Sequence, residues 1–382
     1  MKLQEFLNAK PLYYDEIDYD RMPRVYQKIK NSIKNPNIIH LIGTNAKGTT
    51  GRFLATALYK LGYKVGHYTS PHIMKFNERV WLNSEDVSDK KLEIAHNELL
   101  NMLTQEDANS LSYFEYTTLL AMLVYKECDF IVLEAGLGGE HDATAVFEKY
   151  LTLVTPIGID HEAFLGSTIK EIATTKLNAI QKSAILAAQP YKEVYDIAKA
   201  LEERENINIT KFNEYLEESD VQKIQEIALN LNLPEYLQEN LKLSVAALKF
   251  LKLEYSVNTF SNSKLFGRLT KYRDNIFLDV GHNTLAAKAI FNSLKKEQYV
   301  LVYNSYNDKN YNEILVILRP IIQRVEIIKI DDSRIEDIHI LEKTLRDLEL
   351  NFSSFKKSNK RDNYLVFGSF RVVEEFLRLE NE

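Results

Sequence analysis

The stretch Ile38-Ile39-His40-Leu41-Ile42-Gly43-Thr44-Asn45-Ala46-Lys47-Gly48-Thr49-Thr50 constrains the fold more than any other part of the chain. An apolar run leads into a turn of small residues carrying one lysine. Thr49-Thr50 then opens a helical pattern through Phe53, Leu54, Ala57, Leu58 and Leu61. A strand, a loop and a helix N-terminus in this order is the layout that binds nucleoside triphosphates. Loop N–H groups meet phosphate oxygens, the helix dipole favours negative charge, and the lysine adds a cation. The ending is a variant, because Lys47 sits between Ala46 and Gly48 instead of preceding Ser or Thr. The plain alternative is a strand-to-helix turn with an exposed lysine.

Further along, buried-strand patterns alternate with helical ones. Lys64–Tyr68, Glu78–Asn83, Asp129–Glu134, Tyr150–Thr155, 183–188 and 206–210 read as strands. Helices are expected at 88–103, 112–127, 168–180, 191–204 and 234–254, after a polar, helical lead-in over 1–35. Such alternation predicts an α/β fold with a mostly parallel sheet covered on both faces. A polar, aperiodic stretch at 256–264 reads as a linker. Strands at 275–279, 298–303, 324–330 and 364–368 then predict a smaller C-terminal α/β domain over 265–382, after a first domain over 1–255.

A length of 382 residues suits two domains. The net charge of −6 argues against a nucleic-acid or anionic-membrane binder, while leaving room for anionic small substrates in a local basic pocket. The single cysteine, Cys128, makes no internal disulfide, which fits a reducing compartment. No signal peptide or membrane span is read, so a cytoplasmic protein is expected.

Ligands of open parallel sheets bind beyond the carboxyl ends of the strands. Four groups fall there: the Gly43–Gly48 loop, Ser70 with His72, Glu134, and Asp160 with His161. A hydroxyl, a carboxylate and an imidazole around one hard cation, completed by water and phosphate, suit nucleotide-bound Mg²⁺. Singly, each has an ordinary alternative: a turn, a cap, a satisfied loop histidine. In the second domain, Arg268 suits a phosphate and Asp279 a ribose. Their alternatives, with His282-Asn283, are a strand-edge cation and a helix cap, and spacing does not choose. No signature of a covalent nucleophile stands out.

Together these blocks resemble the folylpolyglutamate synthase/dihydrofolate synthase family of the Mur ligase superfamily. The resemblance runs through the 43–50 loop, Thr69-Ser70-Pro71-His72, Tyr113-Phe114-Glu115-Tyr116, Leu133–Gly139 with Asp142-Ala143-Thr144, and Gly158-Ile159-Asp160-His161. It continues in Gly267-Arg268, Asp279–Asn283 and Gly368-Ser369-Phe370. It implies an ATP-dependent ligase that phosphorylates a pterin carboxylate and lets the amine of L-glutamate displace the phosphate. The acceptor would be dihydropteroate, tetrahydrofolate or both, and the enzyme a monomer. By position, Thr44, Asn45, Ala46, Lys47, Gly48 and Thr49 would hold ATP, with Asn240, Arg268 and Asp279. Ser70, Glu134 and His161 would ligate Mg²⁺, and His282 would lie near the phosphate. Lys176 matches a lysine carried as a carbamate, which needs a neutral amine. Ser112, Phe114, His141, Asp142 and Ala143 match positions facing the pterin. The chain departs from the pattern at Ala46, Glu140 and Phe266, and around Asn178. Ala46 is a mild change provided its φ is negative. Two other readings are a Mur-type cell-wall ligase, for which the segment before the loop is too short, and a non-catalytic nucleotide-binding regulator.

Overall fold

The computed structural model describes residues 1–10, 18–34 and 36–381. The 1–35 lead-in therefore falls partly outside the described residues, at 11–17 and 35. What is described of it contains helices Leu3–Asn8 and Arg21–Ile29. The chain forms two compact units: Met1–Asn232 with Leu237–Ser263, and Leu233–Tyr236 with Lys264–Glu382.

Among the described residues the first unit has eight strands: β1 (Asn37–Ile42), β2 (Val65–Tyr68), β3 (Val80–Leu82), β4 (Glu85–Asp86), β5 (Phe130–Glu134), β6 (Leu151–Val154), β7 (Ser183–Leu186) and β8 (Asn208–Lys211). They lie in the order β4-β3-β2-β5-β1-β6-β7-β8. All neighbours from β2 to β8 run parallel, while β3 and β4 are antiparallel additions. The inner strands read as continuous apolar runs because helices cover both faces. Ile38, Ile39, Leu41 and Ile42 of β1 are fully buried. After β1 the chain moves to β2 on one side, and after β5 to β6 on the other. This reversal opens a crevice at the carboxyl end of β1, where ligands of such sheets bind.

Several elements differ from the sequence reading: β4, Thr270–Arg273 and Phe352–Ser354 are additional strands, and Phe76–Arg79 is a 3₁₀ turn, so that only Val80–Leu82 of the expected strand pairs. The helix Glu218–Asn230 precedes the long helix, which itself spans Glu235–Phe250. A short helix, Gln105–Ser110, separates the helices Asp89–Met102 and Tyr113–Val124. The 256–264 stretch is not a free linker up to Ser263. Val257–Phe260 forms a 3₁₀ turn, Phe260 and Ser263 are buried, and the Tyr255 ring meets Phe260 edge-on at 5.9 Å. One large apolar residue in a polar stretch is enough to dock it.

The second unit has six strands among the described residues: β9 (Thr270–Arg273), β10 (Ile276–Leu278), β11 (Tyr299–Tyr303), β12 (Ile322–Ile327), β13 (Phe352–Ser354) and β14 (Tyr364–Phe367). Their order is β13-β12-β11-β14-β10-β9, parallel except for β9. No helix among the described residues is long and apolar enough to cross a membrane.

Candidate active site

The loop after β1 is built on close backbone contact. Gly43 has φ +138°, and a Cβ there would lie 2.0 Å from the Thr155 hydroxyl oxygen, so only glycine fits. The N–H groups of Thr44 and Asn45 donate to the Pro156 carbonyl at 3.0 and 3.3 Å. The Thr44 hydroxyl donates to the Gly158 carbonyl and accepts from the Gly158 N–H, both at 3.0 Å. The loop is thus fastened to the segment that follows β6.

The helix Lys47–Lys60 begins directly afterwards. Its first N–H groups have no intrahelical partner, and Ala46 at the capping position offers no side-chain acceptor. Lys47 folds back so that its Nζ donates to the carbonyls of Gly43 at 3.0 Å and Thr44 at 3.3 Å. Open N–H groups, a positive helix end and an ammonium share one small surface, the chemistry of an anion site. Ala46 needs a correction. Its φ is +74°, in the left-handed region, so the negative φ that would make alanine a mild change is not adopted. The Thr49 hydroxyl is enclosed and has no hydrogen-bond partner among the described residues.

Glu134 ends β5, beside Leu41 of β1. It is buried and accepts from the Thr69 hydroxyl and, at 3.3 Å, from the Ser70 N–H. The structure therefore brings Ser70 and Glu134 together across the adjacent ends of β2 and β5. His161 follows β6, with φ +55°, and its N–H donates to the Asp160 carboxylate at 2.9 Å. Among the described residues, no three His, Cys, Asp or Glu side chains gather to hold a metal ion by themselves. The Ser70 hydroxyl and the Glu134 carboxylate, at adjacent strand ends, make a sparse oxygen set. That suits Mg²⁺, which keeps several waters and phosphate oxygens in its shell.

The glycine-rich loop after β5 works by close approach. A Cβ at Gly136 would lie 2.6 Å from the Phe114 ring, and one at Gly139 would lie 2.6 Å from the Lys176 carbonyl. Asp142 ties the loop down by accepting from Leu137 N–H at 2.8 Å, Thr144 N–H at 2.9 Å and the Thr144 hydroxyl at 2.6 Å. Asp142 and Ala143 are buried, and burial raises the Asp142 carboxyl above its ordinary value. His141 is more open, with its ring 4.6 Å from that of Tyr19. Ser112 caps the helix Tyr113–Val124 in a reciprocal box with Glu115. Glu140 and Asn178, two of the departures from the family pattern, bond each other: Asn178 Nδ2 donates to Glu140 Oε2 at 2.8 Å.

Lys176 lies on the last turn of the helix Ile169–Leu177, only 4 % exposed. Burial, and then the Lys47 ammonium, bring its amine down from 10.5 to about 7, against the pull of Asp160 and Asp142. The resemblance asks for a neutral amine at this position, and the burial lowers the amine in that direction. The glycine loop packed on its backbone is what encloses it.

Asn240 is buried in the first unit, on the helix Glu235–Phe250. In the second unit, Asp279 follows β10 and accepts from Leu269 N–H and Gly281 N–H, both at 2.8 Å, and from the Tyr236 hydroxyl at 3.1 Å. Arg268 stands 5.2 Å over the Phe370 ring and donates to the Gly267 carbonyl. His282 Nδ1 lies 3.1 Å from the Val280 carbonyl, and Asn283 caps the helix Thr284–Leu294. Sequence reasoning missed Thr69, Thr155 and Tyr236 as supports. Thr69 lies within a recognised motif and Thr155 at the end of an expected strand, whereas Tyr236 gives no signal.

A phosphate-type loop at the carboxyl end of a parallel strand, with an uncapped helix N-terminus, a lysine folded over the loop and a buried carboxylate at the next strand end, is the layout of nucleotide-binding α/β proteins. Known proteins narrow the class. No family model matches the sequence. The Haemophilus influenzae dihydrofolate synthase/folylpolyglutamate synthase is 29 % identical over 410 aligned positions, covering 94 % of this chain and 93 % of that protein. The Escherichia coli protein of the same name is 32 % identical, covering 75 % of this chain and 71 % of its own length. The crystal structure of Helicobacter pylori folylpolyglutamate synthetase superposes with a TM-score of 0.80 at 34 % identity, covering 98 % of this chain and 97 % of that one. The chain belongs to the dihydrofolate synthase/folylpolyglutamate synthase family. It is accordingly an ATP-dependent, amide-forming ligase.

Proposed function

We propose that this ligase adds L-glutamate to dihydropteroate, to reduced folates, or to both. The observation that carries the reading is the uncapped N-terminus of the helix Lys47–Lys60 with Lys47 folded across its loop. Thr44, Asn45, Ala46, Lys47, Gly48 and Thr49 form the loop that holds the phosphates of ATP: Thr44 and Asn45, whose N–H groups donate to Pro156, fix its shape, and the remaining backbone N–H groups with the Lys47 ammonium meet the phosphates. Ser70, Glu134 and His161 hold Mg²⁺, which supplies charge compensation for the transferring phosphoryl group. Lys47 supplies the same compensation from the protein side. The acceptor carboxylate takes the phosphoryl group, and the amine of glutamate displaces phosphate from the resulting acyl phosphate.

Lys176 acts as a carbamate, formed when its neutral amine adds CO₂. The addition releases a proton from the nitrogen and leaves a negative charge beside Lys47 where the amine was neutral. Ser112, Phe114, His141, Asp142 and Ala143 shape the acceptor site, Asp142 chiefly by holding the glycine loop. Asn240, Arg268 and Asp279 contact the nucleotide, and His282 lies near its phosphate. The first unit is the ATP-binding domain and the second the glutamate-ligase domain.

The test is direct. Purified protein with ATP, Mg²⁺ and glutamate receives dihydropteroate or a tetrahydrofolate, and ADP and product mass are followed. ADP release that requires both glutamate and an acceptor, with one glutamyl unit gained, is the expected result. No product from either acceptor overturns the reading.

A further inference from the structure

The phosphate loop does not hold its own shape; it leans on residues 155–158, and those lean on Gln189. The Gln189 side chain is half-buried beyond the end of β7. Its Oε1 accepts from the Ile157 N–H at 2.9 Å. Its Nε2 lies 3.1 Å from the Ala187 carbonyl, 3.3 Å from that of Thr155 and 3.5 Å from that of Val154. Its own N–H donates to the Tyr195 hydroxyl at 2.8 Å, anchoring it to the helix Lys192–Glu205.

One primary amide thus closes the gap between β6 and β7 where their backbones part. The next carbonyl along, Pro156, receives the N–H groups of Thr44 and Asn45. Gly158, one residue beyond the Gln189-bound Ile157, exchanges two hydrogen bonds with Thr44. Thr155 is the residue against which Gly43 is pressed. These supports of the phosphate loop come from a segment that Gln189 bonds at Thr155 and Ile157, while Thr155 is also held by the Ile42 carbonyl through its N–H at 2.9 Å and its hydroxyl at 3.1 Å. The amide is also specific in kind: the site needs an acceptor for Ile157 and donors for the carbonyls. A carboxylate would face carbonyl oxygens without a proton, and an apolar side chain would leave the buried Ile157 N–H without a partner.

We infer that Gln189 is a positioning residue for nucleotide binding, acting through the Thr155–Gly158 segment on the phosphate loop. The inference rests on the reading of that loop as the ATP site. The experiment compares wild type, Gln189→Leu, Gln189→Glu and the control Val194→Ala, whose buried apolar side chain on the same flanking helix makes none of these hydrogen bonds. Binding of a non-hydrolysable ATP analogue, KM for ATP, KM for the acceptor and melting temperature are measured for each. Gln189→Leu and Gln189→Glu should weaken analogue binding and raise KM for ATP about tenfold, the effect of roughly one lost hydrogen bond with an orphaned partner. KM for the acceptor should stay within twofold. Val194→Ala should lose comparable thermal stability and keep its affinity for nucleotide. Folded Gln189 variants that bind the analogue like wild type overturn the inference, as does a control that loses affinity in step with its melting temperature. A wild type that binds no analogue, or a Lys47→Ala variant that binds it unchanged, overturns instead the reading on which the inference stands.

Discussion

Burial and the Lys47 ammonium hold the Lys176 amine at about 7, where an exposed lysine sits at 10.5. At pH 7 half of such amines are neutral, against about one in three thousand for an exposed lysine. Only the neutral amine adds CO₂, so the structure raises the reactive fraction at this one position by about a thousandfold. Protein equilibrated with ¹³C-bicarbonate should show a carbamate carbon in its NMR spectrum. The signal should be absent from Lys176→Ala and should fade as pH drops from 8 to 6, when the amine is protonated. Removing CO₂ should lower activity, and added bicarbonate should restore it. The NMR readout is needed because carbamates are lost in acid, which makes mass measurement unsafe. Full activity in Lys176→Ala, or a wild-type spectrum without the labelled carbon, would refute the reasoning.

Three more outcomes follow from the packing and charge of the first unit. Lys149 and Lys176 are both lowered from 10.5 to about 7, mainly by burial, so the folded chain holds fewer protons than the unfolded one between those values. Their contribution to stability is full above 10.5 and is lost as pH falls towards 7, with a slope of up to about 2.7 kcal/mol per pH unit for the pair. Urea unfolding in CO₂-free buffer at pH 7.5 and 9 should show the stability gain in wild type exceed that in Lys149→Met/Lys176→Met; equal gains would count against it. Gly139→Ala should destabilise by about 1–3 kcal/mol, because its Cβ would meet Lys176 backbone that cannot swing aside; an unchanged melting temperature would show that the helix yields freely. Ala46→Gly relieves a left-handed alanine worth about 1–2 kcal/mol and adds about 0.4–1 kcal/mol of unfolded-chain entropy. The variant should therefore melt level with wild type or slightly above it, and a lower melting temperature would mean that the methyl group makes a favourable contact.

What could be read from the chain and what could not divides along physical lines. β1 and β5 were legible because both faces of each are buried, which forces apolar runs, broken in β1 by the buried His40. β4 and β13, at two and three residues, are too short to carry a period. The helix Glu218–Asn230 buries Ile224, Ile227 and Ala228 at helical spacing, yet this narrow stripe is diluted by charged neighbours. The polar composition of 256–263 hid the single anchor Phe260. At the site, Ser70 and Glu134 were legible as residues at strand ends, since topology alone brings such ends to one edge. The burial of Lys176 was not, because it depends on how closely a distant glycine lets a loop approach. Nor was the φ of Ala46, because the tight strand-to-helix turn imposes it on a residue that would not choose it.

The order of the first sheet sets how it can fail. β1 has four strands on one side and three on the other, and the two edges are the acidic pair Glu85–Asp86 and the polar strand Asn208–Lys211. Charged and very short edges are poor templates for the edge of another sheet. Fraying that starts at either border must pass through several strands before it reaches the one that carries the phosphate loop. Self-association through exposed strand edges and loss of the nucleotide site are therefore separate events in this molecule. Aggregation-prone variants should arise from substitutions in β4 and β8 that leave ligand affinity intact.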